Sequence, residues 1–203
     1  MSDALRDVSR ETADQLKIYA ELLRKWNPRI NLVSRTTLDD LKRRHFEDSL
    51  QLVKLAPASG HWVDLGSGGG FPGLVIAIAA PEYQITLVES DQRKCLFLRE
   101  VARTLSLNVD VLNERIEAAQ PLQADILSAR ALASLPDLLA FAERHAYSKA
   151  TLLFPKGRTA DQELTVARES WTFDVDRIPS QTDPASSILK ITGARRVGHQ
   201  PET

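Results

Sequence analysis

The 203-residue sequence predicts an α/β fold, a mainly parallel seven-stranded sheet with helices on both faces and an N-terminal helical extension. Three observations carry that prediction. Apolar runs of strand length recur from His61 onward, and segments of helical periodicity separate most of them, the pattern of strand–helix–strand units in a parallel sheet. The first run enters a glycine-dense turn, Gly66-Ser67-Gly68-Gly69-Gly70, and the next ends on Glu89. The last two extended runs are split only by the turn-rich Ser180 to Ser186, a connection short enough for an antiparallel finish.

The elements follow in order. Thr12-Ala13-Asp14-Gln15 reads as a capping box, and Leu16, Tyr19, Ala20, Leu23 and Trp26 recur at helical spacing until Asn27-Pro28 ends the helix. A second helix is expected over Leu38 to Leu55, with Leu41, His45, Asp48 and Leu52 along one stripe; His45 and Asp48, three apart, could meet on it, either as a partly buried histidine held by a carboxylate or as a functional pair. The strand His61 to Leu65 opens the core. Phe71 to Ala80 reads as a helix with Pro72 in its first turn, where a missing amide donor costs little. Ile85 to Glu89 is the second strand, Gln92 to Leu105 a helix, Val109 to Leu112 the third strand and Ala124 to Ser128 the fourth. Leu135 to His145 reads as a helix and Thr151 to Phe154 as the fifth strand; Phe173 to Ile178 and Ser187 to Ile191 complete the sheet. One domain is expected, residues 1–58 forming the extension and 59–203 the core.

Composition narrows the function. Hydrophobic residues at 43% and charged residues at 26% are ordinary for a soluble globular chain, and no apolar run is long enough to cross a bilayer. The start, Met1 to Asp7, lacks the apolar core of a secretory signal, so a cytoplasmic location is expected. The single cysteine, Cys95, and the histidines His45, His61, His145 and His199 show no metal-ligand spacing, so no metal is expected. A net charge of -1 disfavours a general nucleic-acid coating protein, but basic residues cluster from Arg24 to Arg44, Arg43 and Arg44 among them. That cluster is either a solvated surface or a phosphate-facing patch beside the glycine turn.

The glycine turn points to a nucleotide-type cofactor. Glycines let the backbone turn sharply and approach a ligand, and a carboxylate at the next strand end can accept from a ribose. A dinucleotide fingerprint starting at Gly66 would need glycine or alanine at position 71, where Phe71 stands, and no Gly-Lys-Ser/Thr follows to hold a triphosphate. Read as G-x-G-x-G, Gly66, Gly68 and Gly70 all fit, and S-adenosylmethionine, which needs close approach but no phosphate cradle, suits the turn. Methyl transfer is an in-line displacement that needs orientation and arranged charge. Exocyclic amines are commonly methylated by enzymes with Asp/Asn-Pro-Pro-aromatic after the fourth strand; this chain has Ser128-Ala129-Arg130-Ala131. Carbon five of cytosine needs a cysteine nucleophile, and Cys95 falls inside an expected helix. The acceptor is therefore expected to be an atom with a free lone pair, such as guanine N7, or a base-activated oxygen.

Lys25-Trp26-Asn27, Asn31-Leu32-Val33-Ser34, Arg44-His45-Phe46-Glu47-Asp48-Ser49, the Asp64 to Gly73 turn and Ser128-Ala129-Arg130-Ala131 together resemble the bacterial small-subunit ribosomal RNA methyltransferase G family, also called glucose-inhibited division protein B. The similarity runs in order from about Tyr19 to about Arg158; the turn reads Gly-Ser-Gly-Gly-Gly-Phe where many relatives have Gly-Thr-Gly-Pro-Gly-Leu/Phe, and the tail after Thr159 resembles the family weakly. The resemblance implies a class I, Rossmann-like methyltransferase fold, S-adenosylmethionine as methyl donor with S-adenosylhomocysteine as product, and methylation of guanine N7 in a 16S ribosomal RNA loop near the decoding centre. It places Gly66, Phe71, Ile116, Glu117 and Arg130 at cofactor contacts, beside Gly68 and the ribose carboxylate Glu89. It places Asn31, His45, Arg93, Lys94, Arg115 and Lys156 at RNA-handling positions, with Arg130, His45 and Lys156 closest to the chemistry. The expected partner is 16S ribosomal RNA or the small-subunit particle, bound by a monomer. Three competing readings are a methyltransferase for a small molecule or protein, a nicotinamide oxidoreductase and a non-catalytic RNA-binding module; the basic segment disfavours the first and Phe71 the second.

Overall fold

A computed structural model describes residues 8–198, Arg35 by its backbone alone; His199 lies outside them. Helices α1 (Arg10–Ile30), α2 (Arg35–Leu38) and α3 (Asp48–Val53), with a π-helical stretch Lys42–Glu47, precede the first strand. Then come β1 (Gly60–Leu65), α4 (Gly73–Ala79), β2 (Tyr83–Val88), α5 (Gln92–Thr104), β3 (Val109–Leu112), β4 (Ala124–Ala129), α6 (Leu135–His145), β5 (Ala146–Lys156), α7 (Ala160–Ala167), β6 (Trp171–Pro179) and β7 (Ser187–Arg196). The sheet order is β3-β2-β1-β4-β5-β7-β6; β1 to β5 are parallel, and β7 runs antiparallel to both β5 and β6.

Side chains alternate across the sheet, as a two-residue strand period requires. Trp62, Ile126, Leu153 and Ile188 face a core built with Leu16, Tyr19 and Leu23 of α1, Leu52 of α3, Leu74 and Ile76 of α4 and Phe97 of α5. Their strand neighbours Val63, Leu127, Leu152 and Leu189 face the opposite core with Leu135, Leu138 and Leu139 of α6 and Ala167 of α7. Among the described residues no helix is long and apolar enough to cross a membrane.

Local chemistry moves several boundaries. Ser9, not Thr12, caps α1: its hydroxyl accepts from the Thr12 amide at 3.1 Å. The helix passes Pro28 and ends at Asn31, which takes the left-handed conformation at φ 51, while Asn27 Oδ1 holds the Val33 amide at 2.9 Å. The single helix expected over Leu38 to Leu55 is broken, widening into the π-helical turn that carries Arg43, Arg44 and His45. Such wide turns reorient side chains and have no signature in apolar periodicity. Helix α7 lies in a segment with no predicted element.

Candidate active site

Strand order reverses between β1 and β4, and the crevice beyond the carboxyl ends of strands at such a switch is where ligands bind in open α/β sheets. A cleft of about 670 Å³ lies there, between the glycine turn, the π-helical turn, the loop after β4, the end of β5 and the β6–β7 loop. Gly66, Gly68, Phe71, His45, Arg44, Lys94, Arg130 and Lys156 all border it.

The turn is seated on β2, the Gly66 and Ser67 amides donating to the Val88 carbonyl at 2.8 and 3.1 Å. Gly66, Gly68 and Gly70 have φ of 66, 55 and 93, which side chains disfavour, and a Cβ on Gly68 would meet only the Gly66 carbonyl at 3.8 Å. The turn thus combines backbone that glycine adopts freely with open space above Gly68. Glu89, buried at the end of β2, accepts from the Gly68 amide at 2.9 Å through one oxygen and from the Asp91 amide at 2.8 Å through the other. Its carboxylate is fixed in orientation, and each oxygen keeps a lone pair for a further donor.

Asp64, fully buried at the end of β1, anchors the floor. Ser128, its register partner on β4, donates to it at 2.8 Å, the Gly73 amide at the start of α4 does so at 3.2 Å, and Trp62 Nε1 in turn donates to Ser128 at 2.9 Å. Burial pushes its carboxyl up to about 6, opposed by the Ser128 and Gly73 hydrogen bonds. Tyr19 of α1 donates its hydroxyl to the Gly69 carbonyl and stacks on Phe71 at 5.4 Å, tying the first helix to the turn.

Arg130, just after β4, is the hub of the opposite wall. Its guanidinium donates to His45 Nδ1 at 2.8 Å, to the Arg44 carbonyl at 3.2 Å and to Asp48 at 3.4 Å, and lies 5.1 Å from the Phe71 ring centre. The Phe71 ring packs against His45 at 4.6 Å. His45 and Asp48 thus converge on Arg130, their first shared partner, rather than forming the expected pair. Burial, with the Arg130 and Arg44 charges, lowers the His45 pKa to about 3, so the ring is neutral.

A clasp joins this wall to the β6–β7 loop. Arg43 donates through Nε and Nη2 to the Thr182 carbonyl at 3.1 and 2.8 Å, the Thr182 hydroxyl donates to Asp48 at 2.8 Å, and Gln51 accepts from the Gln181 amide at 3.1 Å. Arg44 pairs with Asp183 at 3.5 Å. Lys156 is also engaged: its ammonium donates to the Ala133 carbonyl at 2.8 Å and to Glu163 at 2.7 Å, bracing the loop after β4.

The remaining predicted residues lie outside the cleft lining. Asn31 caps α1, and Arg93 pairs with Asp91, the N-cap of α5, at 2.9 Å. Arg115 and Glu117 are exposed, and Ile116 is buried with its carbonyl accepting from His145 Nε2 at 2.8 Å. Asn113 bridges this end of β3 to β2 by donating to the Glu89 and Ser90 carbonyls, both at 3.1 Å. Asp64, Tyr19, Asp48 and Thr182 were missed as site residues. Asp64 carried a signal, a carboxylate at the strand end entering the glycine turn; Thr182 carried none.

The GidB family model, described as rRNA small subunit methyltransferase G, matches residues 12–188. The chain is 55% identical over 195 residues to the ribosomal RNA small subunit methyltransferase G of Ruegeria pomeroyi, covering 94% of this chain and 96% of that protein. It is 52% identical over 195 residues to the protein of that name from a Ruegeria species, covering 94% and 95%. Among solved structures it is similar to the N-methyltransferase NodS of Bradyrhizobium japonicum in complex with S-adenosyl-L-homocysteine, with a TM-score of 0.57 at 13% identity over 89% of this chain and 98% of that one. TYW2 of P. horikoshii in complex with MeSAdo gives 0.56 at 14% identity, over 72% and 62%. At such identities these two structures establish the methyltransferase-like Rossmann fold.

Proposed function

The chain belongs to the rRNA small subunit methyltransferase G family, and we propose that it transfers a methyl group from S-adenosylmethionine to N7 of a guanine in 16S ribosomal RNA. The observation that carries this reading is the junction, in one cleft at the strand switch point, of an open glycine turn with an arginine-centred polar wall. Gly66 and Gly68 give the donor molecule close backbone approach, and Glu89, oriented by the Gly68 and Asp91 amides, receives its ribose hydroxyls. Phe71 and Arg130 would complete its contacts within the cleft, and Ile116 and Glu117, on the loop held by His145, would meet it from outside the lining. The bound donor supplies a methyl group made electrophilic by its sulfonium sulfur.

The protein's part is positioning rather than proton removal. The carboxylates lining the cleft already accept hydrogen bonds: Asp48 from Thr182 and Arg130, Glu163 from Lys156 and Asp183 from Arg44 and the Ala185 amide. His45 spends its Nδ1 lone pair on Arg130. Guanine N7 needs no general base, since its lone pair is free before the methyl arrives, and an engaged set of acceptors suits it. Arg44, Lys94 and Arg115 meet RNA phosphates, with Arg93 and Asn31 further out, while Lys156 holds the loop that carries Arg130's neighbours. The substrate is ribosomal RNA or the small-subunit particle, met by a monomer in the cytoplasm, and S-adenosylhomocysteine leaves as product.

Mass mapping of ribosomal RNA from cells with and without the protein tests this. One N7-methylguanine in 16S RNA should vanish without it and return with purified protein and S-adenosylmethionine; an unchanged map would remove the assignment. Calorimetry with S-adenosylhomocysteine and NAD should give binding to the first only.

A further inference from the structure

Arg130 fixes which nitrogen of His45 carries the proton. A guanidinium has only donors, and Arg130 Nη2 lies 2.8 Å from His45 Nδ1, so Nδ1 accepts and the neutral ring is protonated at Nε2. That Nε2–H is buried without an acceptor. His145 Nδ1 is the other buried side-chain nitrogen without a partner among the described residues, and of the two only His45 borders the cleft. A buried donor left unmatched is costly, so one carried just beneath the surface by a residue that borders the cleft points to an acceptor that a ligand brings as it enters and displaces the side chains covering the donor. The ring is held on one side by Arg130 and on another by Phe71, whose centre is 4.6 Å away, so the donor's direction is set before a ligand arrives.

We propose that His45 Nε2–H reads the oxygen at position 6 of the target purine and so selects guanine over adenine. The inference rests on the guanine-N7 reading given above. On the edge that carries N7, guanine offers two acceptors, N7 and O6, whereas adenine carries an amino donor at position 6. N7 must keep its lone pair for the methyl group, which leaves O6 as the acceptor for a wall donor. Adenine would set its amino group against Nε2–H, donor to donor, and leave both unpaired. Because the Nδ1 lone pair is already spent on Arg130, the ring cannot turn acceptor to accommodate adenine.

The test uses reconstituted small-subunit particles carrying one replacement at the mapped guanine, assayed in single turnover with the full-length protein. Inosine keeps O6 and N7; 2-aminopurine keeps N7 and lacks O6. The native protein should methylate inosine at close to the guanine rate and 2-aminopurine about 10- to 100-fold more slowly, the scale of one specific base-edge contact. In His45→Asn the amide oxygen can still accept from Arg130 but the distal donor is gone, so the guanine to 2-aminopurine ratio should fall towards one with cofactor affinity unchanged. His45→Gln places an amide donor near the Nε2 position and should keep the preference. Equal native rates on guanine and 2-aminopurine overturn the proposal without any variant. So does a preserved ratio in His45→Asn, or a tenfold loss of S-adenosylhomocysteine affinity in it, which would assign the acceptor to the cofactor. If the native protein makes no N7-methylguanine on the unsubstituted particle, the underlying function fails and the proposal falls with it.

Discussion

Arg43 and Arg44 are neighbours in a basic segment, yet the clasp predicts opposite results for their removal. Arg43 spends two guanidinium donors on the Thr182 carbonyl, whereas Arg44 reaches Asp183 at 3.5 Å with side chains 47% and 33% exposed. Both Arg43 bonds share one acceptor and Arg43 is otherwise exposed, so about 1 to 2 kcal/mol, less than the full contribution of one buried hydrogen bond to a charged group, is assigned to them together. In a chain of this length each kcal/mol moves Tm by about 2 to 4 °C, so Arg43→Ala should lower it by roughly 2 to 8 °C. An exposed ion pair contributes about 0 to 1 kcal/mol, and Arg44→Ala should stay within about 2 °C of the native protein. RNA filter binding over a salt series should give the reverse order. Removing one cation from a phosphate flattens the log–log slope by about 0.7 to 0.9; Arg44→Ala should show that change and Arg43→Ala should not. A native melting curve with a flattened slope in Arg43→Ala would refute the reasoning, showing that Arg43 leaves Thr182 to hold a phosphate.

Gly66 sits at φ 66 with Leu132 Cδ1 2.6 Å from where a Cβ would stand, so Gly66→Val should abolish S-adenosylhomocysteine binding in calorimetry while the protein still melts cooperatively. Glu89→Ala should weaken that binding by about 1 to 3 kcal/mol, the scale of charge-assisted hydrogen bonds to a ribose; it also frees the Gly68 amide, so Glu89→Gln should weaken it less. Arg130→Ala should sharply cut single-turnover methylation, measured on particles at saturating cofactor, because His45 and Asp48 lose their shared partner. His45 has a folded pKa lowered to about 3 from 6.5, so its contribution to stability is present above pH 6.5 and is lost as pH falls towards 3. Methylation rates should therefore be flat from about pH 6.5 to 8.5, well above the range in which His45 titrates, and a unit-slope rise through neutrality that disappears in His45→Asn would make His45 a base.

What the sequence revealed and what it hid divide by distance along the chain. The seven strands were legible because strands covered on both faces are apolar at successive positions, as Trp62 and Val63, both fully buried, divide between the two cores, and the antiparallel finish was legible from the short Ser180 to Ser186 connection. The glycine turn was legible because left-handed backbone at Gly66, Gly68 and Gly70 leaves its mark in residue type. The Lys42–Glu47 π-helical turn was not, since no residue type marks where the wider i to i+5 bonding begins. His45 and Asp48 suggested a local pair because they are three apart, but a guanidinium arriving 85 and 82 residues later takes both. Arg43 and Thr182, 139 residues apart, are the extreme case. From sequence alone, a basic residue that clasps a hairpin and one that waits for phosphate look the same, because the difference lies in whether a carbonyl from elsewhere in the fold comes within 3 Å. The same holds for Lys156, whose neutralising partner Glu163 is on a helix that no periodicity announced. Basic residues near a cofactor motif are thus candidates for RNA contact only after the fold has claimed its share, and here it claims Arg43, Lys156 and most of Arg130 while leaving Arg44, Lys94 and Arg115 to the solvent side.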